Sequence, residues 1–195
     1  MKRKIAIVLS FFTILLTACQ KNPPVNSTPQ PPIETEPRII YVSPNGSGDV
    51  ATKESPTDFS TAAIIVNPGD TILLEAGTYK FRSRINLYQK GTPEKRITLK
   101  PEIDGSKVIL DFSSQEFLST NRGIQLSGNY WNIYGIDVTG AGDNGLYICG
   151  NYNIIENCQF YKNRDSGLQL GRGASSQTTV DLWPSNNLIR NYTSF

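Results

Sequence analysis

Asp143 and Asp165 lie 22 residues apart, and Asn121 stands one further step of 22 ahead of them. Carboxylates repeated on a regular backbone are one way to assemble a cage for a hard cation, which asks for about six to eight oxygens with several carboxylates among them. Each copy here, Asp143-Asn144-Gly145-Leu146-Tyr147 and Asp165-Ser166-Gly167-Leu168-Gln169, supplies a single carboxylate. No metal ligand is therefore assigned, and Asp143, Asp165 and Asn121 are read as turn residues whose side chains bond their own backbone. The same step relates Gln125, Tyr147 and Gln169. On neighbouring strands about 4.8 Å apart they form a ladder, an aromatic between two amides, on which a sugar chain can lie. An exposed sheet face without a ligand looks much the same, so both readings stand. Histidine is absent, which excludes a Ser-His-Asp triad and any histidine-held metal. No catalytic and no cofactor-binding residue is assigned.

These residues are positioned by a repeat. Asn121-Arg122-Gly123-Ile124-Gln125-Leu126, Asp143-Asn144-Gly145-Leu146-Tyr147-Ile148 and Asp165-Ser166-Gly167-Leu168-Gln169-Leu170 superpose without a gap. Gly128-Asn129-Tyr130 recurs as Gly150-Asn151-Tyr152, and Ile133, Ile136 and Val138 recur as Ile155, Cys158 and Phe160. A unit of 22 residues is too short for helix-turn-helix repeats of roughly 34, and no helical period runs between residues 121 and 170. The expected fold is all-β: a parallel β-helix, a solenoid of about 22 residues per coil. Period two then sends Ile124, Leu126, Leu146, Ile148, Leu168 and Leu170 to one interior column and turns Gln125, Tyr147 and Gln169 outward.

Ahead of the repeat, Ile39–Val42 reads as a first strand. Thr71–Leu74, Gly77–Tyr79, Ile97–Leu99 and Val108–Leu110 continue as short β runs between Gly and Pro. Ser55 as N-cap, Pro56 at the first helical position and Asp58 in the first turn predict a helix with Phe59, Ala62, Ala63 and Val66 on one side. Such a helix would cap the N-terminal end of the solenoid.

Residues 1–18 have the form of an export signal: Lys2-Arg3-Lys4, an apolar run from Ile5 to Leu16, then Thr17-Ala18 before Cys19. Leu16-Thr17-Ala18-Cys19 resembles the bacterial lipobox, so Cys19 is the expected lipidation site and the chain's link to a membrane. Residues 19–38 hold six of the twelve prolines and form a tether, and residues 39–195 form the β-helix domain. Loss of residues 1–18 removes three basic residues and leaves 16 basic against 17 acidic. That balance argues against nucleic acid as a partner. Cys158 falls in the interior column of Ile136 and Cys149 at an outward strand end, so the two are expected to stay unbridged.

Tyr41-Val42-Ser43-Pro44-Asn45-Gly46, with Asn67-Pro68-Gly69-Asp70-Thr71-Ile72 leading to Glu75-Ala76-Gly77-Thr78-Tyr79, resembles the opening of right-handed parallel β-helix polysaccharide lyases. Asn163-Arg164-Asp165-Ser166-Gly167-Leu168-Gln169-Leu170 resembles family nine of those lyases, the pectate lyases of the Pel9A type. The resemblance covers residues 39–195. It implies a right-handed coil and cleavage of pectate (polygalacturonate) by β-elimination, with calcium held by aspartates and a lysine as base. The family's Asp-Asp-Gly-x-Asp stretch meets Asp165-Ser166-Gly167-Leu168-Gln169 here, which keeps one carboxylate of three. Calcium is thus expected in the full-length family and not on this chain.

The repeat is interrupted from Gly171 to Pro184, and insertions in a solenoid cluster on its binding face. There Arg172 can pair with a uronate carboxylate and Trp183 can stack on a sugar ring, or Trp183 can tuck the loop onto the barrel. The chain re-enters the repeat at Asn187-Leu188-Ile189-Arg190-Asn191 and reaches Phe195 in mid-coil, so the domain is expected to be incomplete at its C-terminus, with the catalytic rungs beyond it. The expected function is that of the N-terminal part of an exported, membrane-anchored pectate lyase, periplasmic or at the cell surface. The alternative is a non-catalytic glycan-binding or structural surface lipoprotein. A third possibility is another β-helix enzyme, an alginate or glycosaminoglycan lyase or an epimerase.

Overall fold

The computed structural model describes residues 36–195. The expected signal, Cys19 and nearly all of the tether lie outside the described residues. Strand β1 (Ile39–Val42) is followed by helix α1 (Phe59–Ile65), and then the chain winds. One coil runs through β2 (Thr71–Leu74), β3 (Gly77–Lys80) and β4 (Ile85–Leu87), and the next through β5 (Ile97–Pro101), β6 (Val108–Asp111) and β7 (Ile124–Leu126). β8 (Trp131–Tyr134), β9 (Asp137–Thr139) and β10 (Leu146–Ile148) form a third coil, and β11 (Ile154–Glu156), β12 (Gln159–Tyr161) and β13 (Leu168–Leu170) a fourth. β14 (Leu188–Arg190) and β15 (Thr193–Ser194) follow.

Every coil gives one strand to each of three sheets, ordered β1-β2-β5-β8-β11-β14, β3-β6-β9-β12-β15 and β4-β7-β10-β13. All pairings are parallel, so each strand bonds its counterpart one coil away. The result is the parallel β-helix predicted from the repeat, wound right-handed as parallel crossovers are.

Alternation along each strand builds the core in columns. Ile72, Leu99, Ile133 and Ile155 are mutual register partners in the first sheet, and Tyr79, Leu110, Val138 and Phe160 in the second. All are buried. In the third sheet Ile124, Leu126, Leu146 and Ile148 are buried as expected. Leu168 is only half-buried and Leu170 is 43% exposed, because no strand among the described residues covers β13 on its far side.

Corners between sheets are single residues in the left-handed region. Gly135 (φ 67°), Asn157 (φ 55°) and Asn191 (φ 50°) turn the chain from first sheet to second. Asparagine tolerates this conformation better than other side-chain-bearing residues. A buried asparagine ladder satisfies the neighbouring backbone: Asn153 Oδ1 accepts from Trp131 N at 2.9 Å and its Nδ2 donates to Gly128 O at 3.1 Å. Asn187 repeats the second bond, donating to Gly150 O at 3.0 Å.

The helix start expected at Ser55-Pro56 needs correction. Helix α1 is capped by Asp58, not Ser55: the Asp58 carboxylate accepts from Thr61 N at 3.0 Å and from the Thr61 hydroxyl at 2.5 Å. Pro56 lies outside the helix, because Thr57 bridges to Val42 and its N–H donates to Tyr41 O at 2.9 Å. Strand β4 lies outside the predicted β runs, with Ile85 and Leu87 buried. The buried face of α1 agrees with expectation, with Phe59, Ala62, Ala63 and Val66 inside. Phe59 meets Phe81 at 6.0 Å between ring centroids, and Phe81 meets Phe112 at 5.0 Å, so the helix closes onto the barrel through aromatic contacts. Cys158 and Cys149 are both free. Burial in the core pushes the Cys158 thiol up to about 11.

Candidate carbohydrate-binding site

Register sets Asn86, Gln125, Tyr147 and Gln169 side by side on the outer row of the third sheet, which is the ladder the repeat predicts, extended by one residue at its start. Gln169 is exposed and Gln125 half-buried. Tyr147 departs from the expected open platform, for only 7% of it is exposed. The Arg122 guanidinium carbon lies 3.4 Å from its ring centroid, and its hydroxyl donates to Arg172 O at 2.8 Å. Arg122 is held in turn by the Gln125 side-chain oxygen, at 3.0 Å from Nη1. The loop after β13 thus folds over the ladder, and the ring is spent on that loop and on a cation-π contact.

Arg172 and Trp183 are brought together at the loop's outer edge. The Arg172 guanidinium carbon is 5.9 Å from the Trp183 ring and Nη1 donates to the carbonyls of Ser175 and Gln177, each at 3.3 Å. Trp183 Nε1 also reaches Gln177 O at 3.3 Å, and the indole stays 44% exposed. Gly171, Arg172, Trp183 and Pro184 line a small hollow beside Leu170. The indole therefore both knits the loop and keeps area for a ligand. Tyr147 lies under this loop, and Gln125 is half-buried with its amide oxygen held by Arg122, so the five expected residues do not form a single open surface.

The carboxylates differ from the turn role expected of them. Asp165 Oδ2 accepts from Asn144 Nδ2 at 3.0 Å, one coil back, and Asp143 Oδ2 lies 3.8 Å from Arg122 Nε. Asn121 Nδ2 donates to Glu116 O at 2.9 Å. Asp143 and Asp165 reach across to the neighbouring coil because stacked coils present closer partners than the local backbone does, whereas Asn121 bonds the backbone of its own loop in the expected turn role. Asp143 and Asp165 share a groove with Phe117, Leu118 and Arg164, whose guanidinium donates to Phe117 O at 2.5 Å. Phe117 sits on a connection of twelve residues between β6 and β7, where the next two coils use six. That longer loop lay between recognisable repeats and carried no motif of its own.

A calcium cage does not fit these residues. Asp143 and Asp165 each already face a donor or a cation, and a hard divalent ion needs several free carboxylates. Among the described residues no three His, Cys, Asp or Glu side chains converge.

A family model described as "Pel9A-like, right handed beta helix region" matches residues 40–195. Pectate lyase L of Paenibacillus polymyxa (strain SC2) is 45% identical over 155 residues, which are 78% of this chain and 34% of that protein. Pectate lyase L of Thermoclostridium stercorarium is 46% identical over 162 residues, 80% of this chain and 12% of that protein. The crystal structure of pectate lyase Pel9A aligns with a TM-score of 0.68 at 30% identity, covering 81% of this chain and 39% of that one. The chain thus spans about a third or less of the length of these curated relatives.

Proposed function

The chain belongs to the Pel9A-like right-handed β-helix family, and from that premise we propose that it forms the N-terminal coils of an exported lyase acting on pectate. The observation that carries this reading is the 45% identity to a pectate lyase across the described coils. Within such an enzyme these coils begin the groove along the third sheet: the outer amides Asn86, Gln125 and Gln169 offer hydrogen bonds to sugar hydroxyls, and Arg172 with Trp183 offers a guanidinium and a ring at the loop. No elimination step is assigned to this chain, because Asp143 and Asp165 are engaged and do not suit the calcium that the resemblance implies. Residues 1–19 fit export with a lipid anchor on Cys19.

The second reading, a glycan-binding surface lipoprotein without catalysis, is favoured by the half-exposed Trp183 indole beside Arg172 and by the engagement of Asp143 and Asp165 with Arg122 and Asn144. One experiment addresses both. The purified 195-residue chain is run through gels containing polygalacturonate or neutral galactan, and is separately incubated with polygalacturonate and calcium while ultraviolet absorbance follows unsaturated product. Retardation by polygalacturonate alone, without product, is the expected result. Product formation would overturn the assignment of catalysis to other coils, and equal retardation by galactan would overturn the pectate reading.

A further inference from the structure

Most guanidiniums near the third sheet are occupied. Arg122 bonds Gln125 and stacks on Tyr147, Arg164 bonds Phe117, and Arg172 bonds two carbonyls of its own loop. Arg84, immediately before β4, differs. Its Nε, like that of Arg122, is buried without a hydrogen-bond partner, but unlike Arg122 it makes no ion pair or side-chain hydrogen bond among the described residues. A half-buried cation gives up hydration, and that loss is recovered only when an anion or a set of acceptors meets it. Arg84 lines a cleft at the junction of α1 and β4 together with Ser60, Ile64, Asn86 and Tyr88. The cleft's volume, about 240 Å³, is below the roughly 300 Å³ at which drug-sized sites begin, a size for one ring and not for a chain. Tyr88 is 47% exposed, which leaves ring area for contact, and Asn86 stands exposed at the head of the outer ladder. Glycines occupy the position of Arg84 in the following coils, at Gly123, Gly145 and Gly167, so the feature belongs to this coil alone.

We propose that this cleft is a subsite for a single anionic sugar residue, a uronate whose carboxylate is held by the Arg84 fork, whose ring lies against Tyr88 and whose hydroxyls meet Asn86. It rests on the pectate reading above and adds to it a contact at the opposite end of the third sheet from the 171–183 loop. A bidentate guanidinium selects carboxylate over its methyl ester, so the subsite reads the de-esterified polymer.

The test is affinity electrophoresis of the full chain in polygalacturonate gels, with Arg84→Gln, Tyr88→Ala and, as a control of equal charge change, Arg82→Gln at an exposed position outside the cleft. Melting curves verify that each variant is folded. Arg84→Gln is expected to weaken binding at least fivefold and Arg82→Gln less than twofold, and highly methyl-esterified polymer is expected to bind weakly and equally to all. Should Arg84→Gln not fold, Tyr88→Ala carries the same expected loss. Unchanged binding by Arg84→Gln, or by Tyr88→Ala where it stands in, overturns the subsite and leaves the pectate reading intact. Equal losses in Arg82→Gln and Arg84→Gln overturn it in favour of diffuse charge, and absence of retardation of the unmodified chain overturns both.

Discussion

Gly171 passes so near the Tyr147 hydroxyl that a Cβ there would stand 2.2 Å from the oxygen, with the ring carbons next in line. The hydroxyl is also the atom that bonds Arg172 O. Gly171→Ala is therefore expected to lift the 171–183 loop and break that bond, a net loss of about 0.5–1.5 kcal/mol before any strain is added. Acrylamide quenching of tryptophan fluorescence reads it: the Trp183 component becomes more accessible while Trp131, wholly buried, stays protected. Unchanged quenching would mean that the loop holds without Tyr147. Cys158 makes a second claim at this scale. Burial raises its thiol from near 9 to about 11, so the folded state favours the neutral form. Its contribution is fully present below pH 9 and is lost as pH rises towards 11, by order 2–3 kcal/mol. Stability measured by urea melts from pH 8 to 11 should fall less steeply in Cys158→Ala than in the unaltered chain; parallel slopes would contradict this.

Helix α1 has seven residues, too few to persist without tertiary contacts and a good cap. Because Asp58 and not Ser55 accepts from the first turn, Asp58→Ala should cost about 1 kcal/mol in a thermal melt, and Ser55→Ala should stay within about 0.5 kcal/mol. The reverse order would restore the start expected from Ser-Pro. That start misled because Pro56 at a first helical position and Pro56 beside a parallel bridge look alike in sequence, and the bridge partner Val42 is fourteen residues away from Pro56. Strand β4 was hidden for a related reason. Its register partner Ile124 lies 39 residues beyond Ile85, so the period of the later coils does not find it. The later coils were legible since nothing but short corners separates their strands, and the period then fixes column, face and register together.

At the scale of the whole molecule the same contrast governs function. Periodic positions such as Ile133, Ile155 and Val138 are set by their neighbours one coil away, and their fate can be read from spacing alone. The candidate site is aperiodic: the covering of Tyr147, the unbonded Nε of Arg84 and the Phe117 lobe each arise where a coil departs from the repeat, and contacts between distant loops decide them. In the proposed reading, the placement of the solenoid in the cell belongs to residues outside it. A mature chain of nearly balanced charge gains little from an anionic lipid surface, so retention at a membrane would depend on the lipid at Cys19. In a bacterial host, the exported chain is expected to enter the detergent phase on partitioning and to carry a diacylglyceryl mass on Cys19, whereas Cys19→Ser should leave it uncut or in the aqueous phase. An unaltered chain found in the aqueous phase, cleaved but unlipidated, would reduce the signal to an ordinary secretory one and make the β-helix a free protein.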